Sequence, residues 1–327
     1  MINYLSLFTG IGAFEKAMKN QGIPFNLVGF SEIDENAVKS YCAMHGVSED
    51  LNLGDITKID ETALPKIDFI TYGFPCQDIS IAGKWKGLFN DDGTQTRSGL
   101  CVDALRIIEH TKPLVAVAEN VKNLLSSKFN AQFQVILASL DYAGYNNYFA
   151  VLNAKDYGIP QNRERVFIVS IRKDVDNGTF EFPKPITLVK KLSDVLESGF
   201  VDRDISLCIA SRYVGFCGSQ SYLRRRYFGK SFGQAVFEGN TTAEEQRNFF
   251  KTDPYKEYEC DGRIRQMTTL ECFRLFGFSD ADHMNAKNVN ASARLYEQIG
   301  NSIVVNVAEA LIKQIFRKGG ELDALYR

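Results

Sequence analysis

Apolar positions in the first half of the chain alternate between short unbroken runs and helix-spaced stripes. Residues 2–8 read as a short buried strand, followed by Thr9-Gly10-Ile11-Gly12 and a helix-like run carrying Phe14, Ala17 and Met18. A second strand over 25–31 ends at Glu32, and a helix over 34–45 follows with Asp34 as its N-cap. A third strand is expected just ahead of Asp55. Further strands fall at 69–72, 114–118, 148–152 and 166–171, with helices over 100–109 and 131–143 between them. This repeated β-α order predicts an α/β fold whose mostly parallel sheet is covered on both faces.

After Arg172 the rhythm stops. Phe182-Pro183-Lys184-Pro185 reads as a linker, and no β-α pattern returns until about Arg263. That interval is rich in Gly, aromatic residues and Arg, and is expected to be a second, smaller domain. A last helix over 304–316 has apolar residues at 304, 307, 308, 311, 312 and 315, the spacing of a helix packed on a core. It is expected to return to the first domain. The chain thus divides into 1–174, 175–262 and 263–327.

The 327 residues, 45% of them hydrophobic, suffice for a large core without staples. Seven cysteines, odd in number and unevenly spaced, come with no secretory signal and imply a reducing cytoplasm. No window approaches the run of about 18 apolar residues that a spanning helix needs, so no membrane association is expected. Cys208, Cys217, Cys260 and Cys272 lack Cys-x-x-Cys spacing, and no metal site is expected. The net charge of −2 does not announce a nucleic-acid binder. Yet Arg203, Arg212, Arg224, Arg225, Arg226 and Lys230 stand against the single acid Asp204 in one stretch, either a solvated face or a polyanion contact.

Ligands of a parallel α/β sheet sit at the carboxyl ends of its strands, where glycines admit the backbone and helix N-termini offer N–H groups. Phe8-x-Gly10-x-Gly12 fits that place, although Glu15 stands where the fuller dinucleotide pattern has its third glycine. Glu32, about 20 residues further on, is placed to accept from ribose hydroxyls. Asp55 is either an acceptor for an adenine amino group or a turn former. Gly73-Phe74-Pro75-Cys76-Gln77 sets a cysteine in a rigid turn at a strand's end, a candidate nucleophile. The other cysteines read as inert hydrophobes. In Glu119-Asn120-Val121, Glu119 ends a buried strand and is a candidate proton donor or a solvated strand end. Arg163 and Arg165, at i and i+2 on a strand, point to one side, to hold a phosphate or base carbonyl, or to pair with Glu164.

In this order the segments resemble the DNA cytosine-5 methyltransferase family of bacterial or phage type, through nearly the whole chain outside 175–262. Pro75-Cys76-Gln77, Glu119-Asn120-Val121 and Gln161-x-Arg163-x-Arg165 carry the resemblance, joined by 265–271, Arg274, Gly277-Phe278 and Gly300-Asn301-Ser302. It implies a Rossmann-like S-adenosylmethionine-dependent sheet over 1–174, completed by 263–327, with target recognition in 175–262. Phe8, Gly10, Gly12, Glu32, Ile33, Asp55, Leu100, Asn301 and Ser302 would hold S-adenosylmethionine. Cys76 would add to carbon 6 of a flipped-out cytosine, Glu119 would serve N3, Arg165 the O2 side, and Arg163 would support the site. The loop holding Ser80, Gly83, Lys84, Trp85, Gly87 and Arg97 would close over the base. Ser80, Arg97, Arg224, Arg225 and Arg226 would contact double-stranded DNA. A monomer in the bacterial cytoplasm, associated with the nucleoid and paired genetically with a restriction endonuclease, completes the expectation. Asn240-Thr241-Thr242 stands where members carry Thr-Leu or Thr-Val, a departure in the recognition segment.

Three rivals share parts of this pattern. A cytosine-5 methyltransferase acting on transfer RNA would use the same scaffold. A non-catalytic DNA-binding relative is opposed by the intact Cys76, Glu119 and Arg165. A nicotinamide oxidoreductase is opposed by the missing third glycine and the Pro-Cys-Gln turn.

Overall fold

The computed structural model describes residues 1–75, 97–213, 220, 222–223, 234–239, 241–251 and 262–317. The chain packs as two compact units, one of Met1–Asn153, Glu164–Lys184 and Val307–Arg327, the other of Ala154–Arg163 and Pro185–Asn306.

The first unit is built on six strands: β1 (Ile2–Leu7), β2 (Phe25–Ser31), β3 (Phe69–Tyr72), β4 (Val115–Val121), β5 (Tyr145–Asn153) and β6 (Glu164–Arg172). Their order is β2-β1-β3-β4-β6-β5. The first four are parallel, while β6 runs antiparallel to both β4 and β5. The chain goes from β1 outward to β2, then back past β1 to β3. The strand order therefore reverses at β1 and β3, whose carboxyl ends form the switch point where such sheets bind ligands.

Helices α1 (Ala13–Asn20), α2 (Glu35–His45), α3 (Cys101–Thr111) and α4 (Asn130–Tyr142) connect these strands. Leu5, Ile70, Ala116 and Ile168 share one buried cluster with Ile107 and Ile108 of α3 and Ile136 and Leu140 of α4. Elsewhere in the core Tyr4 stacks on Phe69, ring centroids 5.4 Å apart, and Phe316 meets Phe69 edge-on at 5.4 Å. Asp34 caps α2 by accepting from the Asn36 and Ala37 N–H groups, as its sequence position predicts.

Two expectations need correction. No third strand precedes Asp55: residues 49–58 form the 3₁₀ turns Glu49–Leu51 and Ile56–Lys58, with one isolated parallel bridge, Phe30 to Asn52. The strand placed at 114–118 runs on to Val121, because Glu119, Asn120 and Val121 pair with Phe167, Val166 and Arg165 of the antiparallel β6.

The second unit contains the antiparallel pair β7 (Ala235–Gly239) and β8 (Gly262–Gln266), and helices α5 (Ala243–Lys251), α6 (Thr269–Arg274), α7 (Asp280–Val289) and α8 (Ser292–Asn301). Arg265 of β8 forks onto the fully buried Glu271 carboxylate at 2.8 Å and reaches Glu238 at 2.6 Å. The last helix, α9 (Val305–Ile315), begins in the second unit and continues in the first from Val307.

Beneath the β1–α1 turn lies a buried polar knot. Glu15, 2% exposed, accepts from the hydroxyls of Tyr4 (3.3 Å) and Tyr41 (3.1 Å), and Tyr4 Oη lies 2.6 Å from Thr71 Oγ1. Burial pushes the Glu15 carboxyl up, partly countered by these hydroxyl bonds. Gly12 sits on the same cluster at φ +77, and a Cβ there would overlap the His45 imidazole and the Tyr41 ring. Gly12→Ala combines a left-handed non-glycine residue with overpacking, and is expected to cost about 2–5 kcal/mol in urea unfolding. For Glu15 the folded state holds its proton more tightly than the unfolded chain does. Its contribution to stability therefore falls as pH rises from the unfolded value of about 4.3 through the raised folded value. Glu15→Gln lacks this loss, so its melting temperature should gain on the wild type across that window and run parallel to it above.

Candidate active site

The turn after β1 is tied to the end of β2 by paired contacts. Thr9 N–H donates to the Ser31 carbonyl at 3.1 Å, and Gly10 N–H to Glu32 Oε2 at 2.9 Å. Glu32 Oε1 accepts from the Ile33 and Asp34 N–H groups, both at 2.9 Å. Asn52 holds the other side of Glu32, accepting from its N–H at 3.2 Å and donating to its carbonyl at 3.0 Å. Ser31 Oγ donates to the Gly54 carbonyl at 2.7 Å. Among the described residues, the Glu32 carboxylate is thus oriented by backbone N–H groups.

The turn beside this carboxylate leaves open space. A Cβ on Gly10 would meet nothing within 4 Å, and the Ile33 side chain is 74% exposed beside it. Phe8 adopts φ +55, a left-handed conformation unusual for a bulky residue, while packing on the core. Leu100 precedes α3 and also packs on the core, half-buried. Asp55 accepts from Thr57 Oγ1 at 2.8 Å and Thr57 N–H at 3.1 Å, bonds that hold its carboxyl below the usual range. It does act as a turn former, with its side chain 40% exposed.

At the neighbouring strand ends, Glu119 of β4 and Arg165 of β6 form an ion pair, Nε to Oε1 3.0 Å, with side chains 12% and 18% exposed. Glu119 is paired in register with Phe167, so Arg165 is its diagonal neighbour on the same face. Arg165 Nη1 also donates to the Glu164 carbonyl at 2.8 Å. Glu164 itself pairs with Lys122 at 2.9 Å. Beside them β3 ends at Tyr72 and leads through Gly73, Phe74 and Pro75 towards Cys76. Asn120 Nδ2 donates to the Phe74 carbonyl at 3.0 Å.

Arg163 does not share the strand with Arg165, because β6 begins at Glu164. Its buried guanidinium belongs to the second unit, where it donates to the carbonyls of Ile209 (2.8 Å), Gly300 (3.0 Å) and Ser302 (2.8 Å) and lies 4.8 Å from the Phe276 ring centroid. Asn301 is the exposed last residue of α8, and Ser302 follows it, buried. Gln161, fully buried, donates to the Leu275 carbonyl at 2.9 Å and accepts from Ile209 N–H at 3.1 Å.

Cys76, Ser80, Gly83, Lys84, Trp85, Gly87, Arg224, Arg225, Arg226 and Asn240 lie outside the described residues, and Arg97 opens the 3₁₀ turn Arg97–Leu100. Sequence reasoning passed over Asn52 and assigned no task to Asn120 or Gln161. The last two stood inside quoted motifs, which was signal enough to ask what they bond. Among the described residues no His, Cys, Asp and Glu group is arranged to hold a metal, and no helix is long and apolar enough to cross a membrane.

Comparison with known proteins fits this arrangement. Residues 2–317 match the model of the C-5 cytosine-specific DNA methylase family. The type II methyltransferase M2.ScrFI of Lactococcus lactis subsp. cremoris is 32% identical over 373 residues, covering 97% of this chain and 99% of that protein. The type II methyltransferase M.NlaX of Neisseria lactamica is 36% identical over 323 residues, covering 96% of each. In fold, the chain is similar to the Entamoeba histolytica methyltransferase EhMeth at TM-score 0.72 and 16% identity, covering 98% of this chain and 99% of that one. The S. pombe Dnmt2 methyltransferase superposes at TM-score 0.67 and 19% identity, with both chains covered in full. The chain belongs to the C-5 cytosine-specific DNA methylase family and is a DNA methyltransferase acting on carbon 5 of cytosine.

Proposed function

We propose that this enzyme methylates one cytosine within a short specific sequence of double-stranded DNA, using S-adenosylmethionine and a covalent step through Cys76. The observation that carries this reading is the Glu119–Arg165 pair at the end of β4, on the strand next to the one that leads into Cys76. Bound S-adenosylmethionine supplies an electrophilic methyl group on its sulfonium sulfur. Phe8, Gly10, Gly12, Glu32, Ile33, Asp55 and Leu100 are the residues proposed to hold it, with Asn301 and Ser302 added on the family resemblance. Glu32 suits the ribose: a carboxylate offers about four acceptor sites, and three N–H groups occupy all but one. Ile33 offers an apolar face for the adenine, and the exposed Asp55 oxygen an acceptor for its amino group.

Carbon 5 of cytosine is a weak nucleophile until something adds to carbon 6. The Cys76 sulfur forms that bond while Glu119 delivers a proton to N3, which leaves electron density on carbon 5. Arg165 donates to O2 and keeps Glu119 aimed. Once carbon 5 carries the methyl group, its proton passes to a solvent base, the Cys76–carbon 6 bond breaks as the thiolate leaves, and N3 returns its proton to Glu119, which restores the ring. The base must leave the duplex for this, at about a few kcal/mol. Arg163 supports the site by holding backbone carbonyls. Recognition is assigned to 175–262, where Arg224, Arg225 and Arg226 would meet phosphates, with Ser80 and Arg97 from the loop after Cys76. A monomer in the bacterial cytoplasm, serving restriction–modification or phage self-protection, suits type II relatives.

The test is expression of the chain and its Cys76→Ala variant in a host without cytosine methylation, followed by bisulfite sequencing. Protected cytosines confined to one short motif, and lost in the variant, are expected; equal protection by the variant would overturn the covalent step. Glu119→Gln should retain DNA binding in gel-shift titrations while slowing single-turnover methylation about 100-fold or more.

A further inference from the structure

The pairing of β3 with β4 ends at Tyr72 opposite Ala118, yet β4 continues to Val121 along β6. The turn that leads to Cys76 therefore leaves the sheet, and among the described residues no strand continues its ladder. A single side chain takes over. Asn120 Nδ2 donates to the Phe74 carbonyl at 3.0 Å, and both residues are 2% exposed. The amide orientation is set from its other end, because Asn120 Oδ1 accepts from the Val121 N–H at 2.8 Å. One end must accept and the other donate, a demand that an amide meets and a carboxylate does not. Phe74 is further fixed by its stacking on Tyr72, with centroids 6.3 Å apart and planes 25° from parallel. Only Pro75, whose ring locks φ, separates this anchored carbonyl from Cys76.

We propose that Asn120 is a positioning residue for the methyl transfer: through the Phe74 carbonyl it fixes where the Cys76 turn departs from β3 alongside β4, and so sets the nucleophile against Glu119, its own chain neighbour. The inference rests on the reading of Cys76 as nucleophile. In it, one dipeptide serves both ends of the base, since successive residues of a strand face opposite ways. Glu119 meets Arg165 on one face, and Asn120 holds the turn from the other.

The discriminating variant is Asn120→Asp, which keeps size and acceptor but loses the donor; Asn120→Ser is a second, neutral variant. The probe is a mixed-sequence duplex of several kilobases synthesised with 5-fluorodeoxycytidine, incubated with enzyme and S-adenosylmethionine. There Cys76 adds to carbon 6 and carbon 5 takes the methyl group. The fluorine cannot leave as the proton would, so the protein–DNA bond persists and can be counted on denaturing gels. Trapping by Asn120→Asp should slow about 100-fold, the scale of a misplaced reacting group. Binding of S-adenosylhomocysteine by calorimetry and the KM for unmodified DNA should stay within about threefold of wild type. Trapping at the wild-type rate would overturn the proposal, as would a loss that merely tracks weaker S-adenosylhomocysteine binding or a smaller folded fraction. Failure of both variants to fold would make Asn120 a folding residue and overturn it too. If the wild type traps no DNA, or Cys76→Ala traps as much, the reading of Cys76 itself fails and the positioning role falls with it.

Discussion

Where a strand leaves a sheet, its backbone groups lose their ladder partners, and if they stay buried each needs a replacement or costs about 1–3 kcal/mol. The first unit meets this demand at the carboxyl ends of its parallel strands with side chains. Glu32 accepts from three N–H groups where β2 ends, Asn52 pairs with both the N–H and the carbonyl of Glu32, and Asn120 takes up the Phe74 carbonyl where β3 ends. These bonds stabilise the fold and also fix the turns after β1 and β3.

Identical residue types acquire different tasks from their partners. Glu15 and Glu32 lie at either side of one turn, but Glu15 is buried among hydroxyls, which leaves burial to push its carboxyl up. Glu32 instead faces three fixed N–H dipoles that hold its carboxylate at the end of β2. Arg163 and Arg165 differ likewise. One guanidinium binds backbone carbonyls and lies over an aromatic ring, a clamp on main chain; the other meets a carboxylate at a strand end.

That contrast marks what the sequence could disclose. Phe25–Ser31 and Phe69–Tyr72 were legible to the residue, because each is a short, mostly apolar run set off by its flanks, although only the second is buried along its whole length. The strands at 114, 148 and 166 were found but read too short, since their extra residues are added by antiparallel pairing, which periodicity does not register. The strand expected before Asp55 failed because 52–54 makes a single backbone bridge to β2, at Asn52, and then turns. At the site, the order of motifs disclosed which residues to examine. Their partners were not legible: nothing in Gln-x-Arg-x-Arg separates an arginine that holds carbonyls from one that meets a carboxylate, and spacing alone wrongly set both on one strand face.

The reversal of β6 has its own consequence for the site. Because β6 runs against β4, its first residues lie beside the end of β4, with Arg165 opposite Val121. A parallel sixth strand would bring its last residues to that edge, and the arginine at the start of the strand would lie at the far end of the sheet. The reversed β6 therefore breaks the parallel pattern at the place where Arg165 meets Glu119. The diagonal step between Glu119 and Arg165 then puts both side chains on a single face without any loop having to hold either of them. Glu119 and Arg165 are fixed by strand register, the stiffest reference the fold has, whereas the turn after β3 is held by the Asn120 side chain.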